Sequence, residues 1–112
     1  MKLIVAYIIP FKLDEVREAL KAAGVTGLSA GNIQGFGRQA GHTETYRGAE
    51  YEVDMVPKVR IEVLVNDELA PAVITTIEQT ARTGSIGDGK IAVLPVEDVI
   101  RIRTGERGAD AL

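Results

Sequence analysis

The sequence contains no cysteine and a single histidine, His42. Without thiols the chain can form neither a disulfide framework nor a thiolate metal site, and one histidine cannot build a cluster of imidazole ligands. Zinc chemistry is therefore not expected. The net charge of −3 at pH 7 also argues against a nucleic-acid-binding surface, because such surfaces carry clustered basic residues. These absences favour small anions or other proteins as partners.

Long apolar runs are missing as well. The longest run, residues 3–9, is too short to span a bilayer, and the amphipathic segment after Pro10 and Phe11 does not look like a signal-cleavage region. We therefore expect a cytoplasmic protein. The 112 residues are expected to form one domain, residues 1–112, that is large enough for a hydrophobic core.

The spacing of apolar residues predicts strands and helices in alternation. Strands are predicted at residues 2–9, 28–36, 58–65 and 91–96, with a further short strand at 99–103. Helices are predicted at residues 13–23 and from about residue 68 to residue 81. Asn66 or Asp67 is expected to cap the second helix. The order predicts a ferredoxin-like α+β sandwich, βαββαβ, whose antiparallel sheet carries two helices on one face.

Both faces of the first predicted strand are apolar. One face carries Leu3, Val5, Tyr7 and Ile9, and the other carries Ile4, Ala6 and Ile8. Because helices cover only one side of a four-stranded sheet, the remaining apolar face predicts self-association, for which cyclic symmetry is the default. The alternative is a hydrophobic strand that lies under a long loop.

Residues 83–90, Thr-Gly-Ser-Ile-Gly-Asp-Gly-Lys, form a glycine-rich segment. Gly84, Gly87 and Gly89 would let an anion approach the peptide N–H groups, and Lys90 adds a positive charge. The spacing approaches that of a Walker A loop, but an isoleucine follows the lysine where magnesium binding needs Ser or Thr. A strand is also predicted where that motif requires a helix. The segment therefore predicts a phosphate loop of another kind, with a plain turn as the alternative.

A long polar segment, residues 37–56, separates the second and third predicted strands. A loop of this length in a small domain is usually either functional or disordered. We interpret it as an interaction arm. The alternative is a β-hairpin extension in which Tyr46 and Tyr51 merely pack.

Taken in order, short blocks over essentially the whole chain resemble the PII family of nitrogen-regulatory signalling proteins. The blocks are residues 10–13, 35–39, 41–44, 46–51, 57–59, 83–84 with 87–90, and 101–106. The ending, residues 103–112, resembles actinobacterial members in particular. The resemblance implies a homotrimer that binds ATP or ADP in clefts between subunits, and 2-oxoglutarate beside magnesium-ATP. It implies signalling and no enzymatic reaction.

The residues that the family uses for these ligands have counterparts here. By resemblance, the phosphates would be held by Gly87, Asp88, Gly89, Lys90, Arg38, Arg101 and Arg103. The base and ribose would lie near Ser29, Glu62 and Leu64. The effector pocket would include Gly35, Gly37, Gln39, Gly41 and Lys58. Gln39 would contact magnesium, ATP and 2-oxoglutarate, whose carboxylate would pair with Lys58. Because Arg101 and Arg103 are two residues apart on a predicted extended segment, we expect their side chains to point the same way and clamp a polyphosphate.

The arm begins at these ligand-contacting residues, so the bound ligands would bias its shape, which partners would then read. By resemblance the partners include an ammonium transporter, whose pore the arm plugs and which supplies the only membrane contact. Enzymes or regulators of nitrogen and glutamine metabolism are also implied. Tyr51 matches the tyrosine that a nucleotidylyltransferase modifies, with uridylyl in many bacteria and adenylyl in actinobacteria.

Several positions depart from the family pattern: Ile9, Asn32, Ala40, Ser85 and Ala92. Ala92 stands where the family has an aromatic residue, which is a loss of about 3 kcal/mol if that position is buried and nothing compensates. These departures leave open a diverged paralogue or an engineered trimer with a recoded surface. Two other function classes stay open: a small phosphotransferase, which lacks an evident nucleophile, and a trimeric scaffold that no longer signals.

Overall fold

The computed structural model describes residues 1–37, 42–46, 49–53 and 55–112. Its main sheet has four antiparallel strands, β1 (Lys2–Ile8), β2 (Ser29–Gly35), β5 (Val56–Val65) and β6 (Lys90–Pro95), in the spatial order β2-β5-β1-β6. Two further strands, β3 (His42–Tyr46) and β4 (Ala49–Val53), pair with each other. The helices are α1 (Leu13–Ala22) and α2 (Ala70–Ala81). This is the predicted ferredoxin-like α+β fold.

The core lies between the sheet and the two helices. Val16 and Leu20 of α1 and Val73 and Ile77 of α2 are at most 1% exposed, as the helical spacing of their apolar residues predicts. They pack against the alternate residues of β1 and β5, among them Ile4, Ala6, Ile8, Val59, Ile61 and Val63. Burying each large aliphatic side chain contributes about 1.5–3 kcal/mol, so this layer fixes the helices on one face of the sheet.

The second helix begins later than the sequence predicts, at Ala70. Residues 67–69 form a turn, in which the Leu69 N–H donates to Asn66 Oδ1 at 3.0 Å and the Ala70 N–H donates to the Asn66 carbonyl at 3.2 Å. The N-cap of α2 is Leu69, so the expectation that Asn66 or Asp67 caps the helix is wrong; Asn66 instead closes the turn that precedes it. Asp67 instead accepts from the Met1 amine at 2.9 Å.

The predicted strand at residues 99–103 is wrong. Residues 102–104 form a turn, and Ile100 makes only an isolated bridge with Arg107. The turn is closed by the Gly105 N–H, which donates to the Arg101 carbonyl at 2.7 Å, and by the Arg101 N–H, which donates to the Glu106 carbonyl at 2.9 Å. Alternating Ile and Arg imitates a strand in the sequence, but the chain reverses at Gly105, whose φ is +75°.

The polar segment between β2 and β5 contains the hairpin of β3 and β4, so part of the predicted loop is regular structure. Its two ends are held together, because Gly35 at the end of β2 is the register partner of Val56 at the start of β5. The arm therefore projects from one end of the main sheet. Among the described residues, no helix combines the length and apolarity needed to span a membrane.

The second face of the sheet carries no helices, and we call it the open face. Register across the strands divides it into rows, since paired residues of antiparallel strands share a face. One row is apolar and contains Leu64, Leu3 and Leu94. The next contains Ser29, Glu62, Val5 and Ala92, and a third contains Gly31, Arg60, Tyr7 and Lys90. Ala92 is exposed on this face, so within one chain its small side chain opens no core cavity.

Candidate functional site

The glycine-rich segment connects α2 to β6 at the same end of the sheet as the roots of the arm. Gly84, Gly87 and Gly89 have φ values of +89°, +106° and +98°, in the region that favours glycine. Gly89 is also constrained by space, because a Cβ atom there would lie 1.6 Å from the carbonyl oxygen of Tyr7. The loop thus passes directly against the backbone of β1, and the residue at position 89 has to be glycine.

Asp88 closes this loop from inside. Its Oδ2 accepts the N–H groups of Thr83 and Gly84, each at 2.8 Å, and its Oδ1 accepts the Thr83 hydroxyl. The hydrogen bond from the Thr83 side chain, together with those from the backbone, lowers the pKa of the Asp88 carboxyl below its ordinary value of 3.8. Asp88 is therefore ionised at neutral pH, with its charge directed into the loop.

An open cleft of about 750 Å³ lies between this loop, the end of β2 and the start of β5. It is lined by six of the residues that the resemblance assigns to ligand binding: Gly35, Gly37, Lys58, Gly87, Gly89 and Lys90. The Lys58 ammonium donates to the Gly87 carbonyl, which ties β5 to the loop. Two lysines and a glycine-rich backbone on one cleft form an environment that suits phosphate or carboxylate groups.

The cleft also has an apolar rim that the sequence did not reveal. Phe36 and Ile86 line it and are 73% and 71% exposed. Tyr7 lies beside Lys90 in the sheet register, and the Arg60 guanidinium lies 6.0 Å from the centre of the Tyr7 ring. Arg60 and Lys58 are two residues apart on β5 and therefore share one face of the sheet. This alternation is the sequence signal from which the position of Arg60 beside Tyr7 could be predicted.

The three residues predicted near a base and ribose lie on the open face, away from the loop. Ser29 and Glu62 are register partners, and Leu64 is two residues further along β5. At about 3.3 Å per residue, Leu64 lies about 13 Å along the strand from the row that contains Lys90. Glu62 is engaged by Arg60 at 2.9 Å, an exposed pair of small energetic weight.

The structure does not bring Arg101 and Arg103 to this cleft. Neither belongs to the described residues that line it. The Arg101 guanidinium donates to Glu106 Oε1 at 2.9 Å and to the Leu112 backbone oxygen at 3.0 Å. The expectation that both arginines project together from an extended segment is wrong, because residues 102–104 are a turn.

The remaining predicted positions belong to the arm. Arg38, Gln39 and Gly41 lie outside the described residues. Tyr51 is in β4, where it is the register partner of Glu44. Their roles stay predictions from the resemblance.

Comparison with known proteins places these observations in context. Residues 1–106 match the family model described as nitrogen regulatory protein P-II. Three relatives with that same name come from Azospirillum brasilense, Rhizobium meliloti (strain 1021) and Rhodospirillum rubrum, and they are 61%, 62% and 59% identical. Each alignment covers 112 residues and the whole of both chains. The likeness of the ending to actinobacterial members stays a prediction.

Proposed function

The chain belongs to the family of nitrogen regulatory protein P-II, and from that premise we propose that it senses ATP or ADP together with 2-oxoglutarate. It passes the result to partner proteins through the arm between β2 and β5. The family name describes a regulator of nitrogen metabolism, and the proposed ligands go beyond that name.

The cleft beside the glycine-rich loop is the observation that carries this proposal. It combines the peptide groups of the loop with the positive charge of Lys90, which suits a polyphosphate, and it also holds the ammonium of Lys58. Gly35, which ends β2, and Gly37, two residues further along the chain, line the same cleft. A ligand here would touch the first residues of the arm, so its binding energy could differ between arm conformations.

Assembly with further copies completes the site. The P-II family is known as a trimer, and we propose the same homotrimer here. Two features support it. The open face carries an apolar row in which Leu64 and Leu94 are 46% and 42% exposed. Arg101 and Arg103 are not among the described residues that line the cleft of their own chain. In the proposed trimer their positive charges would instead serve the cleft of a neighbouring copy.

The effector would be held by charge. The Lys58 ammonium has three donors and, among the described residues, uses one for the Gly87 carbonyl, so two further donors are proposed to serve a carboxylate of 2-oxoglutarate. Magnesium would be held by Gln39 and by phosphate oxygens of the nucleotide, a set of oxygen ligands that suits this cation. Gln39 itself lies outside the described residues.

The proposed partners are an ammonium transporter and enzymes or regulators of nitrogen metabolism, all contacted from the cytoplasm. A nucleotidylyltransferase would modify Tyr51. Tyr51 lies in β4 of the hairpin, within the arm that would contact partners, so its modification would change those contacts.

Calorimetric titration tests the proposal directly. 2-Oxoglutarate is titrated into the oligomer of known mass with magnesium and ATP, and separately with magnesium and ADP. We expect binding with ATP only. If neither nucleotide nor 2-oxoglutarate binds to an intact oligomer, the sensor function is refuted, and the alternative of a trimeric scaffold that no longer signals takes its place.

Lys58→Ala tests the assignment of the effector. Loss of a charged hydrogen bond costs about 1.5–3 kcal/mol, so 2-oxoglutarate binding should weaken by roughly 10- to 150-fold, with a much smaller change for ATP. Lys21→Ala is the matched control, because Lys21 lies on α1 and pairs only loosely with Glu18, at 3.7 Å. Equal losses for both ligands would contradict the role given to Lys58.

A further inference from the structure

We propose that Asp88 is a positioning residue of the nucleotide site. Its carboxylate holds residues 83–88 closed for phosphate binding and does not itself contact the ligand. This inference rests on the proposed nucleotide site. It differs from the sequence-based expectation, in which Asp88 belongs to the set of residues that cradle the phosphates.

The geometry of the loop carries the inference. Both carboxylate oxygens of Asp88 are occupied by donors from the start of the loop, namely the Thr83 N–H, the Gly84 N–H and the Thr83 hydroxyl. Two weaker bonds complete the ring: the Asp88 N–H donates to the Ser85 carbonyl and the Ser85 N–H donates to Thr83 Oγ1, each at 3.3 Å. We call this set of bonds the Asp88 clasp.

A loop with three glycines needs such a clasp. Glycine has wide backbone freedom, and a loop that is ordered only on binding loses affinity to the cost of that ordering. The Asp88 clasp fixes the first and last turns of the loop before the ligand arrives. Gly87 and Gly89, which line the cleft, are then held at φ values of +106° and +98°.

Because Asp88 is charged, the direction in which nucleotide affinity changes on its replacement tests the inference. A carboxylate near a bound polyphosphate repels it, so electrostatics alone predicts that removing the charge tightens nucleotide binding. The Asp88 clasp predicts the opposite result, because an amide cannot accept all three donors with the same geometry. Its oxygen can accept the two backbone N–H groups, but its NH₂ group can only donate to the Thr83 hydroxyl, which then loses the acceptor for its own proton while it also accepts from the Ser85 N–H.

The experiment measures ADP binding by calorimetry for the full chain and for Asp88→Asn. We expect ADP binding to weaken by about tenfold or more, as for the loss of hydrogen bonds to a charged group. The urea midpoint should fall slightly, because Asp88 stabilises the folded loop through these bonds, but the fold should persist because they lie on the surface and away from the core. Unchanged or tighter ADP binding in Asp88→Asn overturns the proposal.

Two further variants separate positioning from general damage. Asp14→Asn removes the same charge from α1, where the carboxylate pairs with Arg17 at 3.3 Å, and it should leave ADP binding unchanged. Thr83→Val removes one donor and should weaken ADP binding, but the double variant with Asp88→Asn should bind about as well as Asp88→Asn alone. Additive losses would show that the two residues act separately, and would overturn the Asp88 clasp.

If the parent protein binds no ADP, the proposed function is refuted. The Asp88 clasp is then tested by a measurement without ligand. Amide hydrogen exchange at Thr83 and Gly84 then decides. Faster exchange in Asp88→Asn than in the parent supports the clasp, and equal exchange overturns it.

Discussion

Replacing Gly89 with alanine should destabilise the protein more than the same replacement at any open glycine. At position 89 the new Cβ atom would lie 1.6 Å from the Tyr7 carbonyl oxygen, far inside any real contact distance. The neighbour is backbone of β1, which pairs on both sides with β5 and β6 and cannot move without disturbing two ladders. The loop itself must therefore shift.

The magnitude has two parts. A non-glycine residue held at a φ of +98° costs about 1–3 kcal/mol, and forcing an extra methyl group into an occupied space costs about 1–3 kcal/mol more. Gly24 provides the matched control, because its φ is +102° while a Cβ atom there would meet nothing within 4 Å. Gly24→Ala should therefore show the first part alone.

Urea unfolding of the parent and both variants, at one fixed protein concentration, measures the difference. We expect Gly89→Ala to lose about 2–6 kcal/mol in free energy of unfolding, and Gly24→Ala about 1–3 kcal/mol. If the two variants lose the same amount, the contact between the loop and β1 contributes nothing, and the argument from space is refuted.

Three other predictions concern modification, pH and the core. Tyr51→Phe should abolish the uridylyl or adenylyl mass added by a nucleotidylyltransferase and leave ligand binding intact, with Tyr46→Phe as the control; mass spectrometry that finds the adduct on Tyr51→Phe would place the site elsewhere. The hydrogen bond from Arg107 lowers the pKa of the Asp98 carboxyl below 3.8, so this group stabilises the fold above about that pH and loses its effect as the pH falls through its folded pKa. Urea unfolding should therefore show Asp98→Asn to be less stable than the parent at pH 7, with the gap closing under acid; a gap that stays constant contradicts this. Leu20→Ala removes a fully buried side chain and should cost about 2–5 kcal/mol in urea unfolding, and a loss below 1 kcal/mol would contradict its place in the core.

Sequence patterns predicted the parts of the fold that burial decides. The helical spacing of Val16 and Leu20 and the alternation of β5 both reflect which side chains leave water, and hydrophobic burial is the strongest local signal. The two apolar faces of β1 predict burial on both sides of the sheet, and within one chain the helices cover one of them. Boundaries were less accurate because hydrogen bonds set them, as at Asn66 before α2.

The closing segment was mispredicted because its pattern is ambiguous. Alternating apolar and basic residues at 99–103 are typical of a strand, but a strand also needs a partner along its length. Here Asp98 accepts from Arg107 at 2.8 Å and the Gly108 N–H donates to the Val99 carbonyl at 2.9 Å, so the chain pairs with itself across a turn. The first of these bonds depends on side-chain orientation and the second on where the backbone turns, and no periodicity expresses either.

The candidate site was predicted in composition but not in geometry. Residue types identified the loop and Lys58, and the structure places them on one cleft. The direction of the Asp88 carboxylate could not be read from the sequence, because an aspartate beside glycines can face either a ligand or its own backbone.

The pairing of Gly35 with Val56 has a consequence for how this protein can change over generations. Because these residues face each other across two hydrogen-bonded strands, with Cα atoms about 4.5–5.5 Å apart, the sheet fixes where the intervening segment starts and stops. Any peptide whose ends meet at that spacing can be grafted there without altering strand register, and longer inserts cost little additional closure entropy. Recognition can therefore diversify as a module while the scaffold beneath it stays constant, and the same junction offers protein engineers a place to install new binding sequences.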